Sequence, residues 1–334
     1  MEDQHGHRIS YLRVSITDRC NERCAYCLPA EFQEWLPRDE VLSYEEILRV
    51  LRVGTGLGID RVRVTGGEPL VRRGVYDFFR KLAEIEAIRD IGVSTNGTLL
   101  ASRPPGENQT AAEILRDCRV RSVNISLDSL DREAYRRSTG RDYLEKVLEG
   151  IAAVRACRFE ALKLNCVLMR DGNEEELPAL VRFAGEQEAT IRFIELMPVT
   201  TRDVLHERSF LSVHEAMRRI AGECGELAPA PELRGNGPAV YFRLPHGQKI
   251  GFIGAMTNLH FCESCNKLRL TCDGKLRPCL GSWLEFDLKE VLRRPDTTDA
   301  AVAAFFREVV ERKPKEHDFR GAYEPQRHMT AIGG

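Results

Sequence analysis

The chain has 334 residues, enough for one large α/β domain with an extension or for two ordinary domains. With 43% hydrophobic and 30% charged residues and a formal net charge of −2, it carries no global field that would draw it to nucleic acid or to a membrane surface. No apolar run is long enough to span a bilayer, and Met1–Arg8 lacks the apolar core of a signal peptide, so a cytoplasmic location is expected.

In chain order, strands are expected over Tyr11–Thr17, Arg61–Thr65, Ile91–Asn96, Val123–Asp128, Leu162–Leu168 and Ile191–Leu196. Helical patterns fall between most of them, over Tyr44–Val53, Tyr76–Glu86, Ala111–Asp117, Tyr143–Ala156 and Glu174–Glu186. Ser43 with Glu46 forms a capping-box pattern, and Asp171-Gly172-Asn173 reads as the turn into the fifth helix. Arg103-Pro104-Pro105-Gly106 reads as a surface loop. Six βα units in succession predict a parallel sheet, curled or closed. The Pro- and Gly-rich stretch Ala228–Pro238 marks a boundary, giving domains over 1–227 and 228–334. Beyond it, strands are expected over Val240–Leu244, Lys249–Ile253 and Lys267–Thr271, with helices near Trp283–Leu292 and Ala300–Glu311. Ile332-Gly333-Gly334 reads as a flexible tail.

The strands are apolar on one face only. Side chains alternate along a strand, so Leu12, Val14 and Ile16 oppose Arg13, Ser15 and Thr17, and Val62 and Val64 oppose Arg63 and Thr65. Likewise Val123, Ile125 and Leu127 oppose Asn124, Ser126 and Asp128, and Leu162, Leu164 and Cys166 oppose Lys163 and Asn165. If the apolar faces pack on helices, the polar faces line the inside of the curl. Burying Arg13, Arg63, Lys163 and Arg192 without partners would cost on the order of several kcal/mol each. The pattern therefore predicts a hydrated cavity for an anion. The competing reading pairs these cations with Asp128 and Glu195, or leaves them at strand ends in water.

The 11 cysteines of a chain with no export signal point to metal or redox chemistry before disulfides. Cys20, Cys24 and Cys27 form C-x3-C-x2-C just after the first strand. Three thiolates suit a [4Fe–4S] cluster with one iron left open, whereas structural zinc wants four ligands and His5 and His7 are poorly placed to supply one. This motif, followed one βα unit later by Gly66-Gly67-Glu68-Pro69, resembles the radical S-adenosylmethionine (SAM) superfamily. The resemblance implies that the open iron binds SAM, and that one-electron cleavage yields a 5′-deoxyadenosyl radical that takes a hydrogen from the substrate. By position, Tyr26, Gly67, Ser126 and Met197 are the implied SAM contacts.

A second group comprises Cys262, Cys265, Cys272 and Cys279, which spacing alone leaves open to a zinc ribbon. The run from Phe261 to Leu280, the segment Tyr11–Asn21 and the terminal Gly333-Gly334 resemble the GTP 3′,8-cyclase family of molybdenum cofactor biosynthesis over essentially the whole chain. That resemblance implies an incomplete (βα)6 TIM-type barrel with a C-terminal iron–sulfur domain covering its open side. It implies a second [4Fe–4S] cluster on Cys262, Cys265 and Cys279 that holds the base of GTP, with Cys272 a buried thiol and not a ligand. GTP contacts carry over to Arg13, Arg63, Thr95, Lys163, Arg192, Lys267, Leu268 and Arg269, with Arg13 and Arg269 as catalytic residues. Lys267 departs from the family's arginine, keeping the charge but losing the bidentate fork.

The implied product is (8S)-3′,8-cyclo-7,8-dihydroguanosine 5′-triphosphate, made in the first step of molybdenum cofactor biosynthesis. The resemblance also implies a ferredoxin- or flavodoxin-like electron donor, a homodimer, and a Gly-Gly tail that reaches the active site. No nucleic acid or membrane partner is expected. Two rivals stand beside this reading: a peptide-modifying radical SAM enzyme with an auxiliary cluster, and a zinc-binding protein without enzymatic activity.

Overall fold

The computed structural model describes residues 1–28, 34–199, 209–233, 235, 237–257, 261–263, 265–319 and 327–333. The strands are β1 (Tyr11–Ser15), β2 (Arg61–Thr65), β3 (Asp90–Thr95), β4 (Val120–Ser126), β5 (Ala161–Leu168), β6 (Thr190–Glu195), β7 (Ala228–Pro229), β8 (Val240–Arg243), β9 (Lys249–Ile253), β10 (Lys267–Leu270), β11 (Lys275–Arg277) and β12 (Phe286–Asp287). The helices are α1 (Tyr44–Gly56), α2 (Val75–Ala83), α3 (Ala111–Asp117), α4 (Arg132–Thr139), α5 (Leu144–Ala156), α6 (Leu177–Glu186), α7 (Val213–Cys224), α8 (Leu288–Leu292), α9 (Asp299–Glu311) and α10 (Met329–Ile332).

Strands β1 to β6 lie side by side in sequence order, all parallel, with helices in every connection. This is the incomplete (βα)6 barrel. The C-terminal part joins it by strand pairing at both margins: β10 runs parallel to β1, and β9 parallel to β6. Antiparallel β11 and β12 extend one end, and β8 and β7 the other. Helix α9 packs on α1 and α8, fastening the C-terminal part to the outside of the barrel.

Local chemistry explains the helix starts. At α1 the Ser43 hydroxyl accepts from the Glu46 amide while the Glu46 carboxylate accepts from the Ser43 amide, the reciprocal cap expected there. Thr110 and Glu113 do the same at α3. The turn at Asp171-Gly172-Asn173 is present, with Asp171 left-handed at φ 56° and helix α6 beginning at Leu177.

Two expectations need correcting, and one helix had no counterpart among them. Trp283–Leu292 is not one helix: Phe286–Asp287 pairs with β11, and α8 starts only at Leu288, capped by Asp287. Strand pairing there overrides helical periodicity. Helix α4, with little apolar character, escaped the periodicity; Asp131 caps it and Gly140 ends it. Ile332 and Gly333 are not a loose tail, because Ile332 is buried and the Gly333 carbonyl accepts from Arg269 Nη1 at 2.7 Å. Gly334 lies outside the described residues.

The pleat separates two environments as predicted. Leu12, Val14, Val62, Val64, Val123, Ile125, Leu164 and Phe193 are fully buried beneath the helices in one continuous core. The opposite faces surround a single chamber.

Candidate active site

A cavity of about 760 Å³ runs through the barrel. Both cysteine trios line it: Cys20, Cys24 and Cys27, and Cys262, Cys265 and Cys279. Cys272 does not. It is fully buried, and its neighbours are Ser15, Asp18 and Asp273.

Parallel pairing sets three arginines in a row. Arg269 on β10 is in register with Arg13 on β1, which is in register with Arg63 on β2. The next residue in the row is Gly92 on β3. A Cβ there would lie 2.5 Å from the Arg63 guanidinium carbon, so the missing side chain is what gives Arg63 its seat. Leaning over Gly92, Arg63 donates to the Tyr11 hydroxyl at 2.9 Å, the Val93 carbonyl at 3.1 Å and the Ser122 hydroxyl at 2.8 Å. Arg192 donates twice to Asn165 Oδ1, at 2.9 and 2.6 Å.

The reading that pairs the cations with acids fails. Asp128 accepts from the Tyr26 hydroxyl at 2.7 Å and the Val167 amide at 2.8 Å. Glu195 accepts from three backbone amides, those of Val213, Met256 and Thr257. Burial together with the charges of Arg192 and Arg63 lowers the Lys163 ammonium to about 8. Burial and the charge of Arg13 lower Arg269 to about 9. Burial lowers Arg192 as well. For Tyr11, burial raises the phenol, but the charges of Arg63, Arg13 and Lys267 win and leave it below its ordinary value. These cations crowd one another around a space that a polyanion would relieve.

The remaining expected residues fall as follows. Tyr26, Gly67, Thr95, Ser126, Met197 and Lys267 line the cavity, with the Ser126 side chain exposed to it. Leu268 does not: its side chain is fully buried in the outer core, on the opposite face of β10 from Lys267 and Arg269. Thr95 already donates to both Glu68 oxygens at 2.9 Å. Arg61, of the same pleat phase as Arg63, also lines the chamber and was legible on that ground. Tyr11 and Asn165, which hold Arg63 and Arg192, were not singled out as contacts.

Gly66 and Gly67 answer a close approach, though of backbone to backbone. A Cβ on Gly66 would sit 2.6 Å from the Thr17 carbonyl oxygen, and one on Gly67 would sit 2.5 Å from that of Asp18. The Gly67 and Glu68 amides donate to the Thr17 and Arg19 carbonyls at 2.7 and 2.8 Å, stitching the turn to the first cysteine loop. The Glu68 side chain then ties this turn to β3 through Thr95 and the Asn96 amide. Burial pushes its carboxyl up to about 7.

The trios differ in their surroundings. Cys20 is raised to about 12, first by burial and then by the charge of Glu68. Cys24 and Cys27 are raised by burial, with Glu22 and Asp128 adding to it. In the second trio each sulfur receives a backbone N–H: Cys262 from His317, Cys265 from Lys267 and Cys279 from Gly281. Burial raises Cys265, but the Lys313 and Lys267 charges overcome it and lower the thiol. His5 and His7 are not near the first trio; His7 Nε2 lies 3.2 Å from the Glu263 carbonyl, beside the second.

A model of the radical SAM superfamily matches residues 14–184, and a model described as Molybdenum Cofactor Synthesis C matches residues 189–319. The GTP 3′,8-cyclase of Thermodesulfovibrio yellowstonii is 41% identical over 339 residues, covering 100% of both chains. That of Moorella thermoacetica is 42% identical over 335 residues, again covering 100% of both. This chain belongs to the GTP 3′,8-cyclase family of the radical SAM superfamily. Among solved structures, Streptococcus suis SuiB bound to precursor peptide SuiA has a TM-score of 0.61 at 16% identity, over 87% of this chain and 66% of SuiB. Native anSMEcpe with bound AdoMet has a TM-score of 0.60 at 17% identity, over 92% of this chain and 82% of that one. At such identities the likeness concerns the fold.

The thiols fit the family's two iron–sulfur clusters. Every cysteine is free of disulfide. Within each trio the sulfurs feel one another's charge, as neighbours on one centre must. Among the described residues no three Cys, His, Asp or Glu side chains converge on a point that a single ion could fill.

Proposed function

We propose that this chain converts GTP to (8S)-3′,8-cyclo-7,8-dihydroguanosine 5′-triphosphate, the first step of molybdenum cofactor biosynthesis. The observation that carries the proposal is a chamber with one thiol trio in an acidic setting, another in a cationic setting, and buried cations between them. Cys20, Cys24 and Cys27 would hold the SAM-binding [4Fe–4S] cluster, and Cys262, Cys265 and Cys279 the substrate-facing one. When bound, the first cluster and SAM supply the one-electron chemistry that removes a hydrogen atom from ribose C3′.

The protein's own part is binding and orientation. Arg63, Lys163, Arg192 and Arg13 would take the triphosphate, which carries about four negative charges matched by forked and point cations. Arg63 and Arg192 are already fixed by Tyr11, Ser122 and Asn165, so little side-chain freedom is lost on binding. Lys267 and Arg269, beside the second trio, would orient the nucleoside end, with Leu268 contributing backbone only. Arg13 and Arg269, in register on neighbouring strands, are the proposed catalytic pair. Tyr26, Gly67, Ser126 and Met197 would contact SAM; Tyr26 is held by Asp128. Fixing C3′ against the point of hydrogen abstraction is the main catalytic service of the fold.

A ferredoxin- or flavodoxin-like donor, a homodimer and a cytoplasmic location complete the proposal. No helix among the described residues is long and apolar enough to cross a membrane. The test is an anaerobic assay with reductant, SAM and each nucleoside triphosphate in turn. GTP alone should give a cyclised product. Turnover of another triphosphate in its place, or of a peptide that GTP does not displace, would overturn the assignment.

A further inference from the structure

Lys313 follows α9 and is buried, with 2% of its surface exposed. A buried ammonium is tolerated when its donors are satisfied. Its Nζ donates to the Lys267 carbonyl at 3.1 Å and to the Pro278 carbonyl, and lies 3.5 Å from Cys265 Sγ. Lys267 opens β10 just after Cys265, and Pro278 immediately precedes Cys279. One ammonium thus joins the two segments that carry the second trio. The Lys313 carbonyl is gripped by the N-terminal segment, through Gln4 Nε2 and His5 Nε2, each at 3.2 Å. Lys313 does not line the chamber, and substrate binding makes no use of it.

We propose that Lys313 is a positioning residue for the substrate-facing iron–sulfur cluster, setting the separation of Cys265 and Cys279 and holding a fixed positive charge against their sulfurs. The inference rests on the reading that this trio carries a cluster. A cation there stabilises the more negative, reduced form of the cluster, so removing it shifts the reduction potential downward. At the first trio, among the described residues, the foremost charges at Cys20 are those of Glu68 and Glu22, opposed by the exposed Arg23.

The test compares anaerobically reconstituted wild type, Lys313→Met and Lys313→Arg by iron analysis and an EPR-monitored redox titration. In Lys313→Met the second-cluster signal should move to lower potential, or the chain should lose about four irons. The first-cluster signal and SAM cleavage should remain. Lys313→Arg should restore the potential toward wild type, which a purely steric role would not do. Should Lys313→Met fail to fold, a Gln4→Ala, His5→Ala double variant loosens Lys313 from outside and should lower the second-cluster potential by a smaller amount. Full iron content with an unchanged second-cluster potential, in whichever of these variants folds, overturns the proposal. Because neither readout uses GTP, a protein that makes no cyclised product yet shows the Lys313-dependent shift would refute the cyclase assignment and leave this inference standing.

Discussion

The two ends of the chamber solve opposite electrostatic problems with the same ligand. Around Cys20, Cys24 and Cys27 the buried charges are carboxyls, Glu22, Glu68 and Asp128, held up by burial to about 7, 7 and 6. Around Cys262, Cys265 and Cys279 the foremost cations are the buried Lys313 and the half-buried Lys267 and Arg269. An acidic shell disfavours added electrons and so makes a centre a stronger reductant. A cationic shell, continuous with the arginine row, suits a centre that faces an anionic substrate. On the proposed reading, the neighbours of each thiol trio, more than the thiol motif itself, set what its cluster does.

The largest effect should come from breaking the two ends separately. Cys20→Ala should abolish SAM cleavage, measured as 5′-deoxyadenosine released under reducing conditions. Cys279→Ala should leave some uncoupled cleavage and form no cyclised product. Complete loss of cleavage in both variants would contradict the division of labour.

A second break lies midway. Gly92→Val should expel the Arg63 guanidinium from its seat and weaken GTP binding by about ten- to a hundredfold, the equivalent of one or two charge-assisted hydrogen bonds. Iron content should be unchanged, since neither trio touches Gly92. Equal GTP affinity in calorimetry would mean that Arg63 does not meet the nucleotide.

The smallest effect sharpens the cationic side. Lys163 in the free protein is depressed to about 8, so it is charged below that pH. A bound polyanion favours the ammonium and raises its value. Affinity for the triphosphate should therefore be full below about pH 8 and fall above it, by at most about tenfold per pH unit. Lys163→Met should weaken binding on the order of tenfold at neutral pH and flatten that part of the profile. A Lys163→Met profile as steep as wild type would assign the dependence elsewhere.

Much of this was legible before the fold was in hand. Period-two alternation placed Arg13, Arg63 and Lys163 on the inner face, and the parallel register then put them in one chamber. The same phase marks Arg61. Other features left no local signal. Gly92 is an ordinary strand glycine until the preceding strand's arginine is laid across it. Lys313 sits in an irregular segment, and the partners of its ammonium are 35 to 48 residues away. Leu268 was named as a contact by position within a motif, while its side chain obeys the pleat and points into the core.

The strand order also dictates a sequence of events during synthesis. Strand β1 finds its outer neighbour β10 only after some 250 further residues have been made, and β6 waits for β9. Until then the nascent half-barrel has two open margins and an unfinished chamber. Such late, long-range pairing is slow and exposes edges that invite association with other chains. The enzyme's interior is thus sealed last, by the same C-terminal segment that brings the second set of thiols.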